Sequence, residues 1–280
     1  MRTSMRPISL RRVIETAYLA EKHGAISPSI IQEMCGVSPR RAREIILEML
    51  EMGLLQTEGD LVVQTANCTK LLGSVRNQSW DSVHQVLLDY SFYREFYETI
   101  AREGPIMPEQ ILENLKQSSL TFNQASLEVL SDWVERVGSV QKNVFTNRYY
   151  PIKPLNGPFL PSFLEVYGSL NLKTGVALRK RYVEIPKIRE YVCERMSISR
   201  EAFDSAFIDV YQQNIGTIEL SGAPVTTHAK TTVKRIKHIA FSEMPERITM
   251  DITSDKVLQG IVLRNKHYYY VAVHGGDLIE

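Results

Sequence analysis

One order of elements is legible three times along this 280-residue chain: helix, helix, turn, helix, hairpin. Nothing else in the sequence constrains the fold as strongly. The first copy begins with a helical pattern over Ile8 to Lys22. It ends at His23-Gly24, a cationic last turn followed by a glycine stop. Ser27-Pro28 supplies an N-cap and a first-turn proline for a short helix through Met34, and Gly36-Val37-Ser38 breaks it. Ser38-Pro39 opens the next helix by the same device. Its apolar residues Ala42, Ile45, Ile46, Met49 and Leu50 follow the spacing of one buried face. At 100° per residue, Arg40 and Arg41 fall on the far side of that helix and Arg43 on its flank. Gly53 closes the helix, and Leu54–Glu58 and Leu61–Thr65 are expected as strands around Gly59-Asp60.

The second copy spans about Ser79 to Pro154. Trp80 to Arg102 is predicted to be one helix, unusually aromatic through Tyr90, Phe92, Tyr93, Phe96 and Tyr97. Pro108 opens a short helix to Lys116, and Thr121 is expected to cap a longer one ending at Gly138. Leu127, Leu130, Trp133, Val134 and Val137 form its core face. Ser139–Gln141 and Val144–Tyr150 are expected as a second hairpin around Lys142-Asn143. Pro151, Pro154, Pro158 and Pro161 with Gly157 then predict a semi-rigid linker. In the third copy, Ile185-Pro186 opens a helix to Met196, and Ser199 caps another to about Gln213. Thr217–Leu220 is expected as a strand. Ile261–Arg264 and His267–Val273 are expected as a hairpin around Asn265-Lys266.

The stretch Ser27–Thr65 (SPSIIQEMCGVSPRRAREIILEMLEMGLLQTEGDLVVQT) resembles the winged helix-turn-helix domains of prokaryotic transcription regulators. It has a glycine in the turn, arginines opening the third helix, and "MGLLQTEGDLVVQT" as helix end and wing. The resemblance implies a third helix in the major groove, read from its N-terminal turn, with the wing beside the backbone. The expected fold is mainly α with small β-hairpins (α+β), in three tandem winged-helix modules. These are residues 1–76, residues 77–158 including the Pro-rich linker, and residues 159–280 with an enlarged basic wing.

Charge distinguishes the modules. The chain has 33 Lys+Arg and 32 Asp+Glu, a net charge of +1. Residues 1–76 hold 10 basic and 8 acidic side chains, residues 77–158 hold 7 and 10, and residues 159–280 hold 16 and 14. A neutral total therefore excludes indiscriminate polycation binding but not local contact. The third helix of module one carries Arg40, Arg41 and Arg43, although Glu44 shares their face. That of module two offers Asn123, Gln124 and Ser126, which suit a base edge but neutralise no phosphate. That of module three offers Arg200 beside Glu201, Asp204 and Asp209. Two basic runs stand out in module three. Lys173, Arg179, Lys180, Arg181, Lys187 and Arg189 form the first, with Arg179, Lys180 and Arg181 as a secondary patch. The second lies between Glu219 and Glu243, a stretch without acidic residues, and holds Lys230, Lys234, Arg235 and Lys237. Cations at a groove edge release counterions, about 0.9 per phosphate neutralised on duplex DNA. Arg40 and Arg41 open a helix at the end where the macrodipole disfavours cations, a placement that points to use.

Nothing in the sequence calls for catalysis or a cofactor. No G-x-x-x-x-G-K-[ST] loop occurs, and Gly275-Gly276 precedes no helix. His23, His84, His228, His238, His267 and His274 contain no i, i+4 pair, and no CxxC accompanies them, so metal-ligand spacing is missing. Cys35, Cys68 and Cys193 are too few for a disulfide framework and are expected to be small core residues in a reducing compartment. No run approaches the roughly 18 apolar residues of a membrane helix, and the basic N-terminus lacks a following apolar stretch. A cytoplasmic location without membrane association is expected. The expected function is binding of double-stranded DNA, as a transcriptional regulator or a DNA-engaging subunit of a larger, defence-related complex. The alternative is a scaffold whose winged helices bind proteins, with a partner or a second copy held through residues 80–103.

Overall fold

A computed structural model of the chain describes residues 3–173, 182–222, 257–274 and 278. Helices dominate, joined by small antiparallel hairpins, so the class is α+β. The chain divides into two compact units, the first running to Gln141 and the second beginning at Lys142.

The first unit opens with α1 (Leu10–His23), α2 (Pro28–Cys35) and α3 (Pro39–Glu51). The three serine caps operate as the side-chain chemistry demands. Ser9 Oγ accepts from Arg12 N–H, Ser27 Oγ from Ile30 N–H, and Ser38 Oγ from Arg41 N–H. Gly36, at φ 62°, lets the chain turn sharply out of α2. Then β1 (Leu55–Glu58) pairs antiparallel with β2 (Leu61–Gln64), in register from Leu55 opposite Gln64 to Glu58 opposite Leu61. Ile26, between α1 and α2, pairs with Val62. The local strand order is therefore Ile26, β2, β1.

The expected element order has no place for the next helix, α4 (Ala66–Arg76), which Thr65 caps. It packs against α1 and against α5 (Trp80–Leu87). The helix expected over Trp80–Arg102 is two helices, α5 and α6 (Ser91–Glu103). Leu88, Asp89 and Tyr90 form the break, with Asp89 N–H bonded to Val86 O and Tyr90 N–H to Leu87 O, so that the Tyr90 ring turns inward. There follow α7 (Pro108–Leu115) and α8 (Gln124–Arg136). Asn123, not Thr121, caps α8, its Oδ1 accepting from Ser126 N–H at 2.9 Å. Thr121 N–H is instead bonded to Thr3 O, beside a parallel bridge between Thr121 and Ser4.

That N-terminal segment stitches the first unit together. Ile8 is fully buried, and its carbonyl accepts from the Trp133 indole N–H of α8 at 3.2 Å. Tyr90 and Tyr93 lie against the Trp133 ring. Glu48 of α3 is buried, accepts from the Tyr90 hydroxyl and from Arg6 N–H at 3.0 Å, and pairs with the Arg6 guanidinium. Residues 1–76 and the helices of residues 77–141 thus share one core.

The strands β3 (Val140–Lys142) and β4 (Tyr149–Pro151) follow, and the division between units falls inside β3. The hairpin expected around Lys142-Asn143 is a longer loop. Asn143 Oδ1 accepts from the N–H groups of Phe145 and Thr146, holding residues 143–148 out of strand geometry. The proline-rich stretch ends sooner than expected, because α9 (Phe159–Lys173) starts before Pro161. Pro161 fits in its first turn, where no intrahelical N–H bond is required.

In the second unit β5 (Val183–Glu184) leads into α10 (Ile185–Met196), α11 (Arg200–Gln213) and β6 (Ile218–Ser221). The terminal hairpin differs from expectation. Arg264 and Asn265, both at positive φ, make a two-residue turn between β7 (Ile261–Leu263) and β8 (Lys266–Tyr268). Tyr269 then breaks the strand, and β9 (Tyr270–Val273) joins a separate sheet of order β5-β9-β6. Phe159, Phe163, Phe203 and Phe207 form the aromatic centre of this unit's core, against Ile188, Val192 and Val271.

Candidate nucleic-acid interface

The capped start of α3 projects its first-turn arginines from a buried base. Ala42, Ile45, Ile46 and Met49 are buried as the spacing predicts, whereas Leu50 is only half-buried and Glu48 takes the remaining core position. The opposite face holds Arg40, with 89% of its side chain exposed, together with Arg43, Leu47 and Glu51. Arg43 has no ion pair or hydrogen bond among the described residues.

Arg41 departs from the far-side placement. It is 37% exposed, bonds Glu44 at 3.0 Å and donates to the Pro7 carbonyl, which ties the N-terminal segment to α3. Glu44 also pairs with Arg40 Nε at 3.2 Å. The hydrogen bonds from Arg41 and Arg40 hold the Glu44 carboxyl below the usual carboxylate range. Glu44 therefore orients two guanidiniums while offsetting part of their field, and Arg40 and Arg43 remain the outward cations. Leu47, 47% exposed, lies four residues after Arg43 on the same stripe. The same wheel that places the arginines also places Leu47, so this residue is within reach of sequence reasoning. The β1–β2 hairpin carries Glu58, Asp60 and the exposed Leu61 but no cation.

The helices expected as third helices of the later modules lack this face. In α8, Ser126 is fully buried and Asn123 is spent on the cap, while the exposed Gln124 bonds Glu128 at 3.1 Å. In α11, Arg200 turns inward to Glu190, at 2.5 and 2.8 Å, and to Lys142 O at 2.8 Å. Its outward positions are Glu201, Ser205 and Asp209, an acidic face. Arg189 is withdrawn from the first basic run: it is 2% exposed and paired with Asp204 at 2.7 Å. Arg179, Lys180, Arg181, Lys230, Lys234, Arg235 and Lys237 lie outside the described residues.

The aromatic stripe expected as a partner surface is mostly interior. Tyr90, Phe92, Tyr93 and Phe96 are buried, and Tyr97 is half-buried with its ring edge on His84. A partner held through residues 80–103 would instead meet Asp81, Gln85, Arg94 and Glu98. His84 Nδ1 lies 2.7 Å from the Tyr93 hydroxyl, and burial pushes this imidazole's pKa down. Cys68 and Cys193 are buried, which drives both thiols up, Cys68 to about 12. Among the described residues no group of three or more His, Cys, Asp or Glu could hold a metal ion, and no helix is long and apolar enough to cross a membrane. In comparisons with known proteins, no family model, curated protein or solved structure matches this chain.

Proposed function

We propose that this protein binds double-stranded DNA, with residues 1–76 acting as a winged helix whose α3 enters the major groove. The observation that carries the reading is the exposed stripe Arg40, Arg43, Leu47 on a helix locked from behind by Glu48, Tyr90 and Arg6. Arginine suits the O6 and N7 acceptors of guanine, and an apolar side chain suits the thymine methyl. Strand order supports the fold assignment. Ile26, β2 and β1 lie in the order that β5, β9 and β6 repeat, with the segment before the second helix beside the last strand. The helices α6, α7 and α8 of the first unit extend the tandem reading. The basic residues Lys230, Lys234, Arg235 and Lys237, with Arg179, Lys180 and Arg181, belong to this proposal on charge alone. The biological role that follows is transcriptional control or DNA engagement within a larger complex.

A protein-binding scaffold is favoured by one observation: Leu61 of β2 is 57% exposed, as well as Leu47. Charge separates the two readings. Arg40→Ala with Arg43→Ala removes the two outward cations and leaves Arg41 to hold the N-terminal segment. In an anisotropy titration against a labelled duplex, this variant is expected to bind several-fold or more weakly. Its salt slope should fall by about 1 for each phosphate that is no longer neutralised. Unchanged affinity and slope would assign the face to a protein partner.

A further inference from the structure

The β7–β8 hairpin has its roots pinned and its tip cationic. Arg189 of α10 reaches its first root, donating to the carbonyls of Gln259 at 2.8 Å, Gly260 at 3.3 Å and Val257 at 3.4 Å, while Asp204 neutralises the guanidinium. A buried arginine that donates to three backbone carbonyls fixes the path of that chain, because displacing them would leave its buried N–H donors without acceptors. Gly260 adds a second restraint: a Cβ there would lie 1.7 Å from Tyr268 O, so only glycine permits the crossing. The other root is held at Tyr269, whose N–H bonds Ser221 O at 2.9 Å and whose carbonyl accepts from Ile185 N–H at 2.8 Å.

Between these anchors the ladder runs Ile261–Tyr268, Val262–His267 and Leu263–Lys266. Alternation places Ile261 and Leu263 on the inward face and Val262 with His267 on the outward one. At the tip Arg264, Asn265, Lys266 and His267 are all exposed, and none of them has an ion pair or a side-chain hydrogen bond among the described residues. Residues 257–274 contain no carboxylate. The charges are thus uncompensated within the hairpin, and both of its roots are anchored, which lowers the ordering cost of binding.

We propose that this hairpin is a second duplex-DNA contact, in which Arg264 and Lys266 bind backbone phosphates and Asn265 and His267 add hydrogen-bond donors. The inference rests on the duplex-DNA reading above and extends it to a site that α3 does not supply. A root-anchored hairpin with two cations at its tip, and Val262 as its one exposed large apolar side chain, fits a polyanion better than a protein groove. The expected contribution is affinity independent of base sequence, since phosphate contacts position a protein without reading bases.

The test uses the full chain and a labelled 20-base-pair duplex of mixed sequence, titrated by anisotropy over a salt series. Arg264→Ala with Lys266→Ala should weaken binding about tenfold at low salt and lower the salt slope by about 2. Arg264→Lys with Lys266→Arg should retain both affinity and slope. Val262→Lys, which adds a cation on the exposed strand, should strengthen binding several-fold. Wild-type affinity and slope in the double alanine variant, while Arg40→Ala with Arg43→Ala binds weakly, would overturn the hairpin site and leave the α3 reading standing. A wild-type chain without duplex affinity at low salt would overturn both. Retention on phosphatidylserine vesicles that depends on Arg264 and Lys266, with duplex binding unaffected by their removal, would overturn the choice of partner.

Discussion

Replacing Glu190 with alanine should destabilise the second unit by about 3–5 kcal/mol, the range for breaking a buried pair from one side. Glu190 is fully buried and receives Arg200 at 2.5 and 2.8 Å and the Val144 N–H at 3.0 Å. Removing it leaves a guanidinium in a low-dielectric site and an amide with no acceptor. Val144 lies in the 143–148 loop, which Asn143 also ties to Glu190 O at 3.1 Å and Glu194 at 2.5 Å, so loss of the Val144 acceptor should loosen one of the loop's attachments as well. Urea denaturation reads the first effect, and faster amide exchange at Val144 reads the second. Glu190→Met combined with Arg200→Met should recover much of the stability, since the penalty comes from the orphaned charge. A single variant as stable as wild type would show that the pair is idle.

Trp133→Ala should destabilise the first unit by about 3–5 kcal/mol. The indole is fully buried against Tyr90 and Tyr93, and its N–H is the partner of the Ile8 carbonyl. Trp133→Phe isolates the hydrogen bond, because it keeps most of the ring and strands the carbonyl, at a cost of about 1–3 kcal/mol. Ile8 belongs to the segment that carries Arg6 to Glu48 and Pro7 to Arg41, so both variants should speed amide exchange from Ile8 to Leu10. Guanidinium denaturation with exchange mass spectrometry reads both. A protected N-terminal segment in Trp133→Ala would contradict the stitched-core description.

Local chemistry is the legible part of this fold. The Ser-Pro openings at Ser27 and Ser38, the Ser199 cap and the Ile185-Pro186 start all lie where side-chain oxygens and fixed proline φ require them. The stripe of α4, through Cys68, Leu71, Leu72 and Val75, has the same i, i+3, i+4, i+7 spacing as α3. An element order that closes at a hairpin hides it. The break at Leu88–Tyr90 is less accessible, because the apolar pattern runs through it and only the inward turn of Tyr90 toward Glu48 explains it.

The candidate site divides along the same line. Arg40 and Arg43 are where helical periodicity puts them, since an exposed face needs no distant partner. Arg41, Arg189 and Arg200 look equally solvated in the sequence, yet each is engaged by groups remote from it. Arg41 reaches Pro7, Arg189 reaches Gln259 and Gly260, and Arg200 reaches Lys142. Spacing rules act within one element, and these pairings are set by tertiary packing between elements. The tip cations Arg264 and Lys266 are inconspicuous in the sequence for the opposite reason. They are two charges in a short run, and their significance comes from the anchoring of the hairpin roots.

The central claim is that α3, and not α11, meets DNA. Site-specific photocrosslinking tests it most directly, with benzoylphenylalanine placed at Leu47 on α3 or at Ser205 on the outward face of α11, in the full chain mixed with duplex. The account predicts protein–DNA adducts from the Leu47 position and none from the Ser205 position, where Glu201 and Asp209 flank the probe. Adducts of equal yield from both positions, or none from Leu47 under conditions where the duplex is bound, would contradict it.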